Sequence, residues 1–258
     1  MPTEIVAFYL HLPVFLLVVA RIAGLLMFQP VLAAMSIPAP VRAVLVMGLA
    51  ALAAPLVPRP TELPTNFGEL AIAFGSELIL GSVIGLALAV VLVGVQLGGY
   101  LIAQEAGLTY GQVVDPSSGE DLPPLSLLYM QLATVLFLVS DGHLAMVRGV
   151  LDSFHTLPLP GDGGRSAFGI DLLLDALQVS GELAIQVAAP ALVALTLANV
   201  ALGFISRTVP QLNVLTVGFS LKTLVGFVLM AVSLPPVVGA VISALEGVMG
   251  QIRALLAS

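Results

Sequence analysis

The chain has 258 residues, 59% of them hydrophobic and only 9% charged, with a formal net charge of −7 and no cysteine. A soluble domain carries charge on about one residue in four, so this composition indicates an integral membrane or membrane-assembly protein. It excludes disulfides and cysteine metal sites, and the acidic balance argues against a basic surface for nucleic acid or anionic lipid.

The first apolar run, near residues 5–29, follows a start (MPTEIVAFYLHLPVF) without the basic residues of a cleaved signal peptide. It outlasts a signal peptide's core and reads as a retained first segment. Further apolar runs follow at 41–57, 70–104, 125–147, 183–205, 214–234 and 237–256. About 20 apolar residues suffice to span a bilayer as a helix. The run 41–57 is marginal, and 70–104 is too long for a simple span. Gly81, Gly85, Gly94, Gly98 and Gly99 fall within 70–104, where a bend is expected. Barrel-type alternation is absent, so the spanning elements are helices. The chain reads as one helical unit without a separate soluble domain.

Prolines punctuate these runs. Pro13 and Pro190 lie inside them, Pro30, Pro38 and Pro40 mark the first break, and Pro55, Pro58, Pro60 and Pro64 the second. Pro235 and Pro236 mark the last, because proline removes a backbone donor and kinks or ends a helix. The longest polar stretches are 107–124 and 152–182. In the second, DLLLDALQVSGELAI has helical apolar spacing and reads as an amphipathic interfacial helix. With six spans, the arginines lean toward cytoplasmic termini.

Four features carry possible function. Gly81 and Gly85, and again Gly94 and Gly98, place small residues one turn apart on one helix face, which lets backbones approach closely. Packing within the chain and contact with another subunit both fit. Arg21, Glu77, Glu105, Arg207 and Lys222 lie in or beside apolar runs, where a lone charge costs at least about 2.5–3.5 kcal/mol. Each must pair, snorkel or face water, as part of a conduit or as a structural pair. The loop 107–124 has Gly107 and Gly111, an Asp115-Pro116 turn and no Lys or Arg. It is either a solvent-facing loop or a mobile plug over an internal passage. Finally, VPQLNVLTVGFSLKTLVG (209–226) sets polar residues between two apolar runs, which reads as a working break rather than a connector.

No enzyme signature is present. His11, His143 and His155 lack a metal-binding spacing, Asp141-Gly-His143 reads as a helix-end turn, and GDGGRS lacks the lysine of a phosphate loop. No cofactor is expected.

FQPVLAAMSIPAPVRAVLVMGLA (28–50), the glycine-rich stretch into QEAGLTYGQVVDPSSGEDLPPLSLLYMQLATVLFLVSDGH (104–143), DSFHTLPLP (152–160) and PQLNVLTVGFSLKTLVG (210–226) resemble the FliR family. These are flagellar type III export-gate subunits whose injectisome counterparts are the T-type gate subunits. The usual family form has proline where Ser220 stands. The resemblance covers nearly the whole chain and implies an all-α, membrane-associated fold of kinked helical hairpins in a helical export-gate assembly. It implies a likeness of about 1–180 to the FliP-type subunit and of 181–258 to the FliQ-type. Partners would be FliP- and FliQ-type subunits, FlhB- and FlhA-type export proteins, and unfolded flagellar substrates. The location would be the bacterial inner membrane at the flagellar basal body.

On this resemblance the plug comprises Gly107, Leu108, Tyr110, Gly111, Val113, Val114, Asp115 and Pro116. Pro210, Gln211, Asn213, Gly218 and Lys222 would serve assembly or line the entrance, in a hairpin tip over 209–222. Competing readings are a secondary transporter of a small solute, a virulence-type gate subunit and a scaffold without pore contact. A transporter would show two related halves and a midplane acid cluster, and the sequence has neither.

Overall fold

Helix signals at the segment ends set the architecture. The computed structural model describes residues 3–29, 37–58, 64, 66–109, 122–159, 165–208 and 214–257. All regular structure among them is helical: α1 (Thr3–Met27), α2 (Ala39–Ala53), α3 (Phe67–Ala106), α4 (Pro124–Val139), α5 (Gly142–Thr156), α6 (Arg165–Thr208) and α7 (Val214–Ala257). A 3-10 turn at Ala54–Leu56 extends α2. The chain is an all-α protein with several helices long and apolar enough to cross a membrane.

Prolines start helices here, where their missing N–H is no loss. Pro38 precedes α2, and its carbonyl accepts the N–H groups of Val41 and Arg42 at 3.0 and 3.2 Å. Pro124 is the first residue of α4, and the Ser126 hydroxyl donates to the Pro123 carbonyl at 2.8 Å. Asn66 caps α3: the Glu69 N–H donates to its Oδ1 at 2.9 Å, while its Nδ2 donates to Glu69 Oε1 at 2.9 Å.

Three of the expected breaks are absent or shifted. The runs 214–234 and 237–256 form one 44-residue helix, and Pro235 and Pro236 sit inside it. Proline's fixed φ is helical, and buried Ser233, Val237 and Val241 hold the helix on both sides of the pair. The expected separate amphipathic helix in 152–182 is the first part of α6, which continues unbroken through Gly181 and Pro190. One mid-helix glycine costs about 1 kcal/mol, too little to end a helix that is packed on both sides. Of the polar break expected at 209–222, residues 214–222 are helical, Gly218, Ser220 and Lys222 among them, and 209–213 lie outside the described residues.

The run 125–147, by contrast, is interrupted. α4 ends at Val139 and α5 begins after Asp141, which adopts a left-handed φ of 56°. The Asp141-Gly142 turn therefore ends the helix through its backbone, and the Asp141 side chain makes no capping bond. Helix α3 runs through all five of its central glycines without interruption.

Two compact units emerge, each assembled from distant parts of the chain. The first contains residues 1–90, 141–177 and 245–258. There α1 packs on α2, and Leu17, Leu25, Ile84 and Phe154 are fully buried. The second contains residues 91–140 and 178–244. Its core includes Leu92, Ile102, Tyr129, Phe137 and Val187. In it the Tyr129 and Ser233 hydroxyls lie 3.5 Å apart. Outward apolar side chains remain on both long helices of this unit, among them Val193, Leu197 and Phe204 of α6 and Leu224 and Val232 of α7. Such faces suit lipid or partner helices.

Candidate functional site

The first unit joins two of the embedded charges in an ion pair. Arg21 of α1 and Glu77 of α3 are both fully buried. The Arg21 Nε donates to Glu77 Oε2 at 2.6 Å, and Nη2 lies 2.6 Å from the same oxygen. Nη1 donates to the Ser153 hydroxyl at 3.0 Å, and that hydroxyl donates on to the Val150 carbonyl at 2.6 Å. Nη2 also donates to the Leu157 carbonyl at 3.0 Å. The guanidinium carbon stands 4.2 Å from the centre of the Phe154 ring, close enough for a cation–π contact. Charge, hydrogen bonds and an aromatic face together offset the desolvation of the guanidinium. The cluster ties α1, α3 and α5 at one point.

Glycines let those helices meet. A Cβ on Gly81 would overlap the Arg21 carbonyl, one on Gly85 the Leu25 carbonyl, and one on Gly24 the Leu78 carbonyl. The two backbones of α1 and α3 are therefore in direct contact around the ion pair. In the second unit, a Cβ on Gly94 would stand 2.5 Å from the Ser180 carbonyl oxygen, and one on Gly98 would stand 2.8 Å from the Val187 side chain. Gly99 lies against the Tyr129 ring in the same way. All four glycines of the sequence pairs thus sit at helix–helix contacts inside the chain.

The other embedded charges are placed differently. Asn199 Nδ2 donates to Glu105 Oε1 at 2.5 Å within the second unit. Arg207 is exposed in the last turn of α6, where a cation complements the helix dipole. Lys222 is half-buried on α7, with no ion-pair partner among the described residues. Gly218 is buried against Leu202 of α6. Pro210, Gln211 and Asn213 lie outside the described residues. Among the described residues no three His, Asp or Glu side chains are grouped as metal ligands would be.

The stem of the 107–124 loop has defined geometry. Gly107 takes a left-handed φ of 82° at the end of α3. Its N–H donates to the Gln104 carbonyl at 3.1 Å, and the Leu108 N–H donates to the Ala103 carbonyl at 2.9 Å. This pair of bonds is the Schellman motif, which needs a residue tolerant of positive φ. Replacing Gly107 by Ala is therefore expected to destabilise the end of α3 by about 1 kcal/mol. Hydrogen exchange at the Gly107 and Leu108 amides would register it as faster exchange than in the unaltered chain. Tyr110, Gly111, Val113, Val114, Asp115 and Pro116 lie outside the described residues.

Sequence reasoning placed Arg21 and Glu77 among the costly charges without joining them. Opposite sign and a shared apolar setting were the available signal. It missed Ser153, Phe154 and the Leu157 carbonyl, which look like ordinary residues of a short helix and its end.

Residues 12–248 match the family described as "Bacterial export proteins, family 1". The chain is 31% identical over 219 residues to "Flagellar biosynthetic protein FliR" of Escherichia coli (strain K12), covering 83% of this chain and 82% of that one. It is 29% identical over 225 residues to the FliR protein of Bacillus subtilis (strain 168), 85% of each chain. It is also 28% identical over 148 residues to "Surface presentation of antigens protein SpaR" of Shigella flexneri, 57% of each. With the family match running along nearly its whole length, the chain belongs to the bacterial export proteins, family 1.

Proposed function

We propose that the chain is a non-enzymatic subunit of the export gate of a flagellar type III secretion apparatus. The observation that carries this reading is the family match over residues 12–248, together with FliR relatives aligned along most of the chain. In this reading it joins FliP- and FliQ-type subunits in the bacterial inner membrane, with about 1–180 corresponding to the first type and 181–258 to the second. FlhB- and FlhA-type proteins adjoin it, and unfolded flagellar proteins pass through the channel. Exposed apolar side chains along α6 and α7 suit such an assembly, because they offer helix faces to lipid or to other subunits.

The loop after α3 is the plug. Residues 107–124 begin at a helix end fixed by Gly107, and they carry three glycines and no basic residue. At rest the loop obstructs the passage; substrate displaces it. Gln211, Asn213 and Lys222 meet neighbouring subunits or line the entrance. Energy for transport comes from elsewhere in the apparatus.

Deleting residues 110–119 tests the plug. Conductance through the assembled gate in planar bilayers should rise severalfold, while recovery of the complex stays near that of the unaltered protein. Unchanged conductance in an intact complex would refute a plugging role. A solute carrier would place its acids around a midplane cavity. Here Glu77 is paired with Arg21 and Glu105 with Asn199, so both embedded acids are engaged in holding helices.

A further inference from the structure

Two adjoining cavities of different chemistry lie within the first unit. One, of about 240 Å³, has only apolar walls, among them Ile22 and Leu25 of α1, Leu49 and Ala53 of α2, and Val147 of α5. The other, of about 300 Å³, is lined by Asp152 and His155 with Val57. Leu56 and Leu151 line both, so the two adjoin as a depression with a wholly apolar part and a part that carries a carboxylate and an imidazole among apolar side chains.

We propose that this depression holds one phospholipid with an amine headgroup, of the phosphatidylethanolamine type. Part of an acyl chain occupies the apolar end. The headgroup lies at Asp152 and His155, which are exposed and one helical turn apart on α5. The Asp152 carboxylate takes the ammonium, and an imidazole N–H of His155 donates to the phosphate. Charge selects this lipid class. An anionic headgroup without an amine would meet the Asp152 carboxylate with nothing to pair it, on a chain of net charge −7. The surroundings supply the ligand: only 11% of the apolar window Ala39–Leu56 is buried inside the chain, so most of α2 faces outward. Narrow apolar cavities open to such a surface favour flexible hydrocarbon over water. The inference stands independently of the export-gate reading, since it needs only a membrane location.

The test uses the full chain, purified with whatever subunits accompany it and exchanged into nanodiscs of phosphatidylethanolamine and phosphatidylglycerol in equal amounts. Native mass spectrometry after release should find one phosphatidylethanolamine retained per chain. Leu49→Trp, which fills the apolar end, should lower that occupancy by about tenfold, the equivalent of losing a few buried methylenes. The pair Asp152→Asn with His155→Gln alters only exposed side chains and should erase the preference for phosphatidylethanolamine over phosphatidylglycerol. Where Leu49→Trp does not accumulate, the exposed pair still decides the question. No retained lipid, retention indifferent to the exposed pair, or phosphatidylglycerol held as firmly as phosphatidylethanolamine would each overturn the site. So would a protein segment of another subunit filling the depression in an image of the complex.

Discussion

Arg21→Met is expected to abolish accumulation of the folded chain, and Glu77→Met to do the same. Each change leaves one fully buried charge without its counter-ion, and breaking a buried pair from one side costs about 3–5 kcal/mol. That is a large fraction of the roughly 5–15 kcal/mol by which a protein is stable. Changing both residues to Met should recover most of the loss, because apolar side chains of similar volume often replace a buried pair without penalty. The exchanged pair, Arg21→Glu with Glu77→Arg, should fail. A carboxylate at position 21 would face the Leu157 carbonyl and the Phe154 ring, both of which suit a cation. Membrane-fraction yield and the thermal midpoint of the four variants decide the matter. Equal damage in the Met pair and the single variants would show that the residues act separately.

Gly81→Ala is expected to rank next. The added methyl would overlap the Arg21 backbone carbonyl, which cannot swing aside as a side-chain end can. Helices α1 and α3 would have to separate, at about 1–3 kcal/mol or more, and the Arg21–Glu77 contact would stretch with them. Gly75→Ala in the same helix supplies the control. Nothing lies within 4 Å of a Cβ there, so that change should raise helix stability by about 0.5–1 kcal/mol. Opposite shifts of the thermal midpoint in the two variants are the expected result. Equal shifts would remove the close-approach role of Gly81.

Membrane character, helical class and most apolar segments were legible in the sequence, because hydropathy and the absence of barrel alternation depend only on composition and spacing. Segment ends were less so. Proline and glycine signal breaks through local cost, yet Pro235-Pro236 and Gly181 lie within continuous helices. Packing on either side outweighs about 1 kcal/mol per glycine, and proline's φ already fits a helix. At 125–147 the apolar run alone suggests one continuous segment, and the Asp141-Gly142 pair is the local signal for the turn that divides it.

Charge counting for topology rests on six separate spans. Helices α3, α6 and α7 have 40, 44 and 44 residues, contours of about 60–66 Å, roughly twice the hydrocarbon core of a bilayer. Apolar length in this chain therefore does not translate into a number of crossings. At the candidate site, Gly81 and Gly85 were visible as a spaced pair, whereas their counterpart Gly24 stands alone in its run. Pairing between α1 and α3 spans 56 residues, and no local pattern encodes it.

That separation also sets an order of events during synthesis. Arg21 leaves the ribosome 56 residues before Glu77, and Ser153 and Leu157 follow 132 and 136 residues after Arg21. At about 5–20 residues per second, the counter-ion arrives some 3–11 s late. Until then α1 carries a solitary cation, which disfavours deep insertion by about 2.5–3.5 kcal/mol. The first helix is thus expected to stay near the membrane surface until the third supplies Glu77. A nascent chain halted before residue 77 emerges should leave α1 near the membrane surface, and one halted after α3 is complete should not.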